Sequence, residues 1–191
     1  MISIRSLATA FALAALAVQS TAARVDVKVD FDKSFNFKAV KTWGWNPSGP
    51  GDVKMARTQT DDPDAMKAVA EPPIVDAVTA EMTRIGLTAA PSNPDMSVTY
   101  YLLLTTNQTA QSMGQFVPGS VAWGLPLFPQ ATTSLKVLNQ GALVLDLTAN
   151  GNVVWRGVAQ AQIKSGTERK RREELLREGV RDLLKRYPPK Q

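Results

Sequence analysis

The chain has 191 residues, 44% of them hydrophobic and 20% charged, with a formal net charge of +5 and neither cysteine nor histidine. That length fits one domain with a sizeable core. The missing residue types exclude disulfides, thiol– or serine–imidazole nucleophile pairs and imidazole-ligated zinc, leaving carboxylates, lysines and tyrosines for any acid–base work.

The chain opens with a single charge, Arg5, an uncharged apolar run from Leu7 to Val18, and small residues through Thr21-Ala22-Ala23. The run is shorter than the about 20 residues a membrane-crossing helix needs. It has the plan of a secretory signal peptide, with cleavage expected after Ala22 or Ala23. Residues 1–23 are therefore read as a signal peptide and 24–191 as a single mature domain. The expected location is exported and periplasmic, without a lipid anchor because no cysteine is available to carry one. An exported location argues against a nucleic-acid partner, and the basic charge suits loose contact with anionic surfaces.

Alternation begins at once. Val25, Val27, Val29 and Phe31 fall on one face and Asp26, Lys28, Asp30 and Asp32 on the other, the period of a half-buried strand. Val40 to Trp45 reads as a second strand by its β-branched and aromatic residues, stopped by Asn46-Pro47-Ser48-Gly49-Pro50-Gly51. Residues 47–70 show little periodicity and read as a solvated linker. Its "TDDPD" lacks the spacing and closing glutamate of a calcium loop. Ile74, Val78, Met82 and Ile85 then recur at helical spacing. With Pro72 and Pro73 placed in the first turn and Gly86 after the end, they predict a helix over 73–86. A strand follows over 96–105, apolar on one face and semi-apolar on the other, as in the centre of a sheet.

Residues 107–131 have no period and hold prolines, glycines and large apolar side chains together. A connection of that length without structure of its own is commonly functional. Its residues Phe116, Trp123, Leu125, Leu127 and Phe128 are the candidate binding residues, either as an apolar docking surface or as a lid over the domain's own core. "TSLKVLNQGALVLDLTANGNVVWRGVAQAQI" predicts three more strands, with a break at Gln140-Gly141 and a hairpin turn at Asn150-Gly151. A three-residue loop sets Asp146 opposite Arg156 and Leu147 opposite Trp155; a two-residue loop makes the charged pair diagonal. Either way the pair reads as an exposed cross-strand ion pair of about 0–1 kcal/mol, its carboxylate held ionised by the guanidinium. Leu176, Gly179, Val180, Leu183, Leu184 and Tyr187 predict a last helix, 168–187, with one apolar stripe. Thr167 is its expected N-cap. Arg169, Lys170, Arg171 and Arg172 stand in its first turns, where cations oppose the helix dipole.

Three blocks carry a family resemblance: "VDFDKSFNFKAVKTWGW" at 29–45, "PDMSVTYYL" at 94–102 and "QGALVLDLTANGNVVWRGVA" at 140–159, with the "RYPP" ending at 186–189 in agreement. Together they make the chain similar to the DUF4136 family, bacterial envelope proteins of unknown function. Many members look like lipoproteins with a cysteine at the cleavage site, and this chain departs from them there. The resemblance brings no catalytic residues. Its signature positions, Phe37, Lys41, Thr42 and Trp45 with Asp146, Trp155, Arg156 and Gly157, read as determinants of fold.

The order of elements predicts an α+β domain: a mostly antiparallel sheet of five or six strands with both helices packed on one face. No GxSxG, GxxxxGK[ST] or GxGxxG run appears. The expectation is a non-enzymatic envelope protein that needs no cofactor or metal. It would bind an envelope protein, a lipid or a cell-wall component through the segment 107–131, with peripheral membrane contact open. The alternatives are a structural envelope component or a carboxylate-based hydrolase.

Overall fold

The computed structural model describes residues 25–55, 62–104, 126, 128, 141–161, 163 and 166–190. The expected signal peptide, the strand read at 133–139 and nearly all of 107–131 lie outside the described residues.

Strand β1 (Asp26–Phe31) is followed by a short 3-10 turn at Phe37–Ala39, β2 (Thr42–Trp45), β3 (Gly51–Met55), helix α1 (Pro63–Arg84), β4 (Thr88–Ala89), β5 (Met96–Leu104), β6 (Gly141–Ala149), β7 (Asn152–Ala161) and helix α2 (Arg169–Leu184). The strands form one seven-stranded sheet in the order β1-β7-β6-β5-β2-β4, with β3 also paired to β5. β1, β7, β6 and β5 run antiparallel in sequence across it, whereas β2 and β3 lie end to end along the far edge of β5, both parallel to it.

The domain is α+β with two helices, but the sheet is mixed and larger than the five or six mostly antiparallel strands expected. The parallel pairings are those of β2 with β4 and of β2 and β3 with β5, and the added strands are the two-residue β4 and the longer β3. β3 was hidden by its surroundings. Its Asp52, Val53, Lys54 and Met55 alternate, yet they sit among the glycines and prolines that made 47–70 read as a linker. With β3 formed, α1 becomes the crossover that a parallel β3–β5 pairing requires. Gly51 is needed there, because a Cβ would fall 2.2 Å from the Tyr100 carbonyl oxygen.

Helix α1 also starts ten residues before the expected 73, a correction with a local cause. Asp62 is its N-cap, the carboxylate accepting from the Asp64 and Ala65 N–H groups at 3.0 and 3.2 Å, and Pro63 follows at the first helical position. Asp62-Pro63-Asp64 therefore starts a helix, where a solvated linker was expected. Pro72 and Pro73 stand in the helix interior, where each removes a backbone donor. The helix continues through them because Ala70, Pro73, Ile74, Ala77, Val78 and Met82 are buried on one face, each large apolar residue contributing about 1.5–3 kcal/mol by leaving water. The end is as expected: Gly86 takes φ +87°, and the Leu87 N–H closes on the Met82 carbonyl at 3.0 Å.

The two helices share one sheet face. Val98, Tyr100 and Leu102 of β5, Leu143, Leu145 and Leu147 of β6, and Trp155 and Ala159 of β7 meet Ile74, Val78, Met82, Val180, Leu183 and Leu184 in one core. The opposite face holds a smaller cluster, Leu103, Ala142, Val144 and Val158. The hairpin turns at Asn150 and Gly151 with φ +51° and +77°, the two successive positive angles of a type I′ turn. That is a two-residue loop, yet Asp146 still pairs with Arg156 and Leu147 with Trp155. A bulge beside Leu147 and Thr148 leaves Val154 unpaired in the ladder and restores the register a three-residue loop would give.

Candidate functional site

Asp146 and Arg156 are the charges the sequence singled out, and the structure corrects their setting. They are 1% and 0% exposed, so the expected exposed pair is fully buried. The Arg156 Nε donates to Asp146 Oδ1 at 2.6 Å and Nη2 donates to Oδ2, a bidentate fork. The same Nη2 donates to the Pro126 carbonyl at 3.0 Å, and the guanidinium lies 5.8 Å from the centre of the Phe128 ring. Burial pushes the Asp146 carboxyl above its ordinary value while Arg156 pulls it down, so desolvation opposes the ionised form that charge alone favours. Asp30 of β1 stands across from Arg156 on its other side. These carboxylates flank a guanidinium on a covered sheet face and line none of four cavities found among the described residues.

The other signature positions are explained by packing. The Phe37 ring meets Tyr187 edge-on at 5.8 Å between centroids, and Tyr187 meets Trp155 at 6.4 Å, which joins the start of the sheet, the hairpin and the "RYPP" ending. The Lys41 and Thr42 N–H groups both donate to the Asp95 carboxylate, fixing β2 beside β5. Hydrogen bonds from those two backbone groups hold the Asp95 carboxyl below its ordinary value. At Gly157 a Cβ would lie 2.5 Å from the Trp155 ring and 2.8 Å from Leu183, so only glycine lets α2 approach β7.

Of the candidate binding residues, Phe116, Trp123, Leu125 and Leu127 lie outside the described residues. Phe128 is described, 2% exposed, with its ring turned inward beneath Arg156. Among the described residues, no group of three or more acidic side chains is arranged to hold a metal ion. No helix among them is long and apolar enough to cross a membrane.

A site that periodicity did not reveal lies where the first turns of both helices meet the ends of the central strands. It is a cavity of about 430 Å³. Its floor is Leu102, Leu143 and Ala159; its walls are Met66 and Ala70 of α1 and Leu175 and Gly179 of α2. Gly179 brings α2 close to the sheet, since a Cβ would touch that of Ala159 at 3.2 Å. The mouth carries Asp62, Arg169, Arg172 and Glu173. Val69 on the rim is 44% exposed, the one large apolar side chain so exposed among the described residues. Both mouth carboxylates are engaged, Asp62 as the α1 cap and Glu173 by Arg169 at 2.8 Å. The arrangement offers apolar volume under a charged rim. Alternation could have shown which strand residues face the helices, but small residues at a three-element junction leave no period to read.

The family model described as "Domain of unknown function (DUF4136)" matches residues 27–189. Among solved structures, a PDZ domain protein from Parabacteroides distasonis is 15% identical at a TM-score of 0.50, the match covering 92% of this chain and 38% of that one. That likeness bears on fold alone. A DUF4136 family protein from Bacteroides thetaiotaomicron is 15% identical at a TM-score of 0.48, covering 86% of this chain and 96% of that one. A PelC dodecamer from Paraburkholderia phytofirmans is 14% identical at 0.35, covering 84% and 95%. No match was found among curated proteins.

Proposed function

Since this chain belongs to the DUF4136 family, a domain of unknown function, we propose from its own geometry that it is a non-catalytic binding module of the cell envelope, holding an apolar ligand between its helices and its sheet. The cavity between the two helix starts carries this reading. Its volume of about 430 Å³ falls within the roughly 300–1,000 Å³ of small-molecule sites, which are mostly apolar with a few polar groups. Exposed Val69 on the rim gives an apolar molecule a place to enter. The envelope location rests on the N-terminal segment, with its charged head, short apolar centre and small-residue exit.

The binding test is fluorescence titration of the mature protein with N-phenyl-1-naphthylamine, an uncharged apolar dye. Wild type is expected to enhance and saturate the dye's emission. Ala161→Phe and Leu104→Trp, which place rings in the cavity, are each expected to abolish the enhancement while far-UV circular dichroism is retained. An unresponsive wild type overturns the reading. For location, fractionation is expected to recover a processed chain in the periplasm; intact precursor in the cytosol would remove the envelope from the proposal.

A further inference from the structure

The apolar interior of this cavity does not account for the charges at its mouth. Helix starts favour acidic residues, because the exposed N–H groups carry partial positive charge there. The N-cap of α2 is Glu168, which makes no side-chain cap bond, and the helix then begins Arg169, Lys170, Arg171, Arg172 with no acid in its first turn. Arg169 turns to Glu173, and Arg171 turns along the helix to Glu174 and Glu178 at 3.2 Å each. Asp62 is committed to the start of α1. Arg172, exposed at the mouth, has no carboxylate partner among the described residues. The lining therefore combines an apolar recess with an exposed cation that no carboxylate of the described residues pairs, at a helix end whose dipole disfavours cations.

Resting on the binding reading above, we propose that the ligand is a free single-chain amphiphile with an anionic head, of the fatty-acid type. The tail lies along Leu102, Leu143 and Ala159 between the helices, and the head meets Arg172 at the mouth. A bilayer offers the same head groups on a flat face, whereas this site is a recess with walls from α1 and α2, which suits a molecule taken up singly.

The test titrates the mature protein with dansyl-undecanoate and with its uncharged methyl ester. The acid is expected to bind about fivefold more tightly than the ester, the size of one exposed charge contact of about 1 kcal/mol. Arg172→Gln is expected to bring the acid down to the ester's affinity, and Ala161→Phe or Leu104→Trp to remove both. Equal binding of acid and ester by wild type overturns the anionic head and leaves the apolar site standing. Binding of neither overturns both. Co-sedimentation with anionic phosphatidylglycerol vesicles without uptake of the monomeric probe transfers the site to a membrane surface and overturns the proposal. So does a concentration-dependent dimer that Ala161→Phe abolishes, which would place a second copy in the cavity.

Discussion

Arg156 has no exposed surface, and its Nε and Nη2 both donate to Asp146, Nη2 also to the Pro126 carbonyl. Removing one partner of such a pair strands the other charge in a low-dielectric interior, which costs about 3–5 kcal/mol, whereas replacing both by apolar residues of similar size is often near neutral. Asp146→Ala is therefore expected to destabilise the fold by about 3–5 kcal/mol in urea denaturation, and Asp146→Leu with Arg156→Met by less than the sum of the two single changes. Additive losses would show that the pair does not act as a unit. One residue along β7, Gly157 raises a different constraint. Its would-be Cβ collides with the Trp155 ring and Leu183, both fully buried, so neither neighbour yields cheaply. Gly157→Ala is expected to cost about 1–3 kcal/mol through overpacking, measured as a drop in the urea midpoint at unchanged slope. A variant as stable as wild type would mean that α2 can back away from β7 without loss.

At the scale of elements, α1 shows how one residue type misleads. Proline marks a helix start or a helix break, and Pro72-Pro73 reads as a start because Ile74, Val78 and Met82 begin the visible period just beyond. The preceding turns carry mostly small or polar residues and show no period, so Asp62 with Pro63 is the one local mark of the helix start. The exposed Pro72 leaves the helix short of a donor and crowds the preceding turn. Pro72→Ala is expected to raise stability by about 1–3 kcal/mol, visible as a higher thermal midpoint, and a fall would mean that the proline serves the helix's packing. β1, β5 and the hairpin were legible because alternation is local and Asn-Gly demands a tight turn. The parallel pairing of β2 and β3 with β5 was not, since it joins residues separated by the whole of α1. The Asp146–Arg156 register was legible for an incomplete reason, as a two-residue turn and a bulge replace the longer loop. Its burial was not legible at all, because alternation assigns a face without saying what covers it. The cavity follows the same logic, as it belongs to three elements jointly.

Across the whole molecule, the three tyrosines of the chain sample three different environments. Tyr100 faces the helices, donating to Glu71 at 2.7 Å. Tyr101 lies against the cluster on the opposite face, and Tyr187 closes the aromatic group after α2. Burial raises all three phenols: Tyr101 and Tyr187 are pushed up to about 12, and Tyr100 rises further as Glu71 adds its hydrogen bond and charge to burial. In the unfolded chain each would titrate near about 10. The folded state thus holds its phenolic protons to higher pH than the unfolded state does. Their contribution to stability is complete below pH about 10 and is lost as pH rises through about 12, because the unfolded chain then binds fewer protons. Spectrophotometric titration is expected to show no tyrosinate near pH 10 in the folded protein. Ionisation should appear only at higher pH, together with the loss of far-UV circular dichroism. A phenol that titrates reversibly near pH 10 with the fold intact would break this, and the residue responsible, identified by Tyr→Phe substitution, would mark which layer of the molecule is open to water.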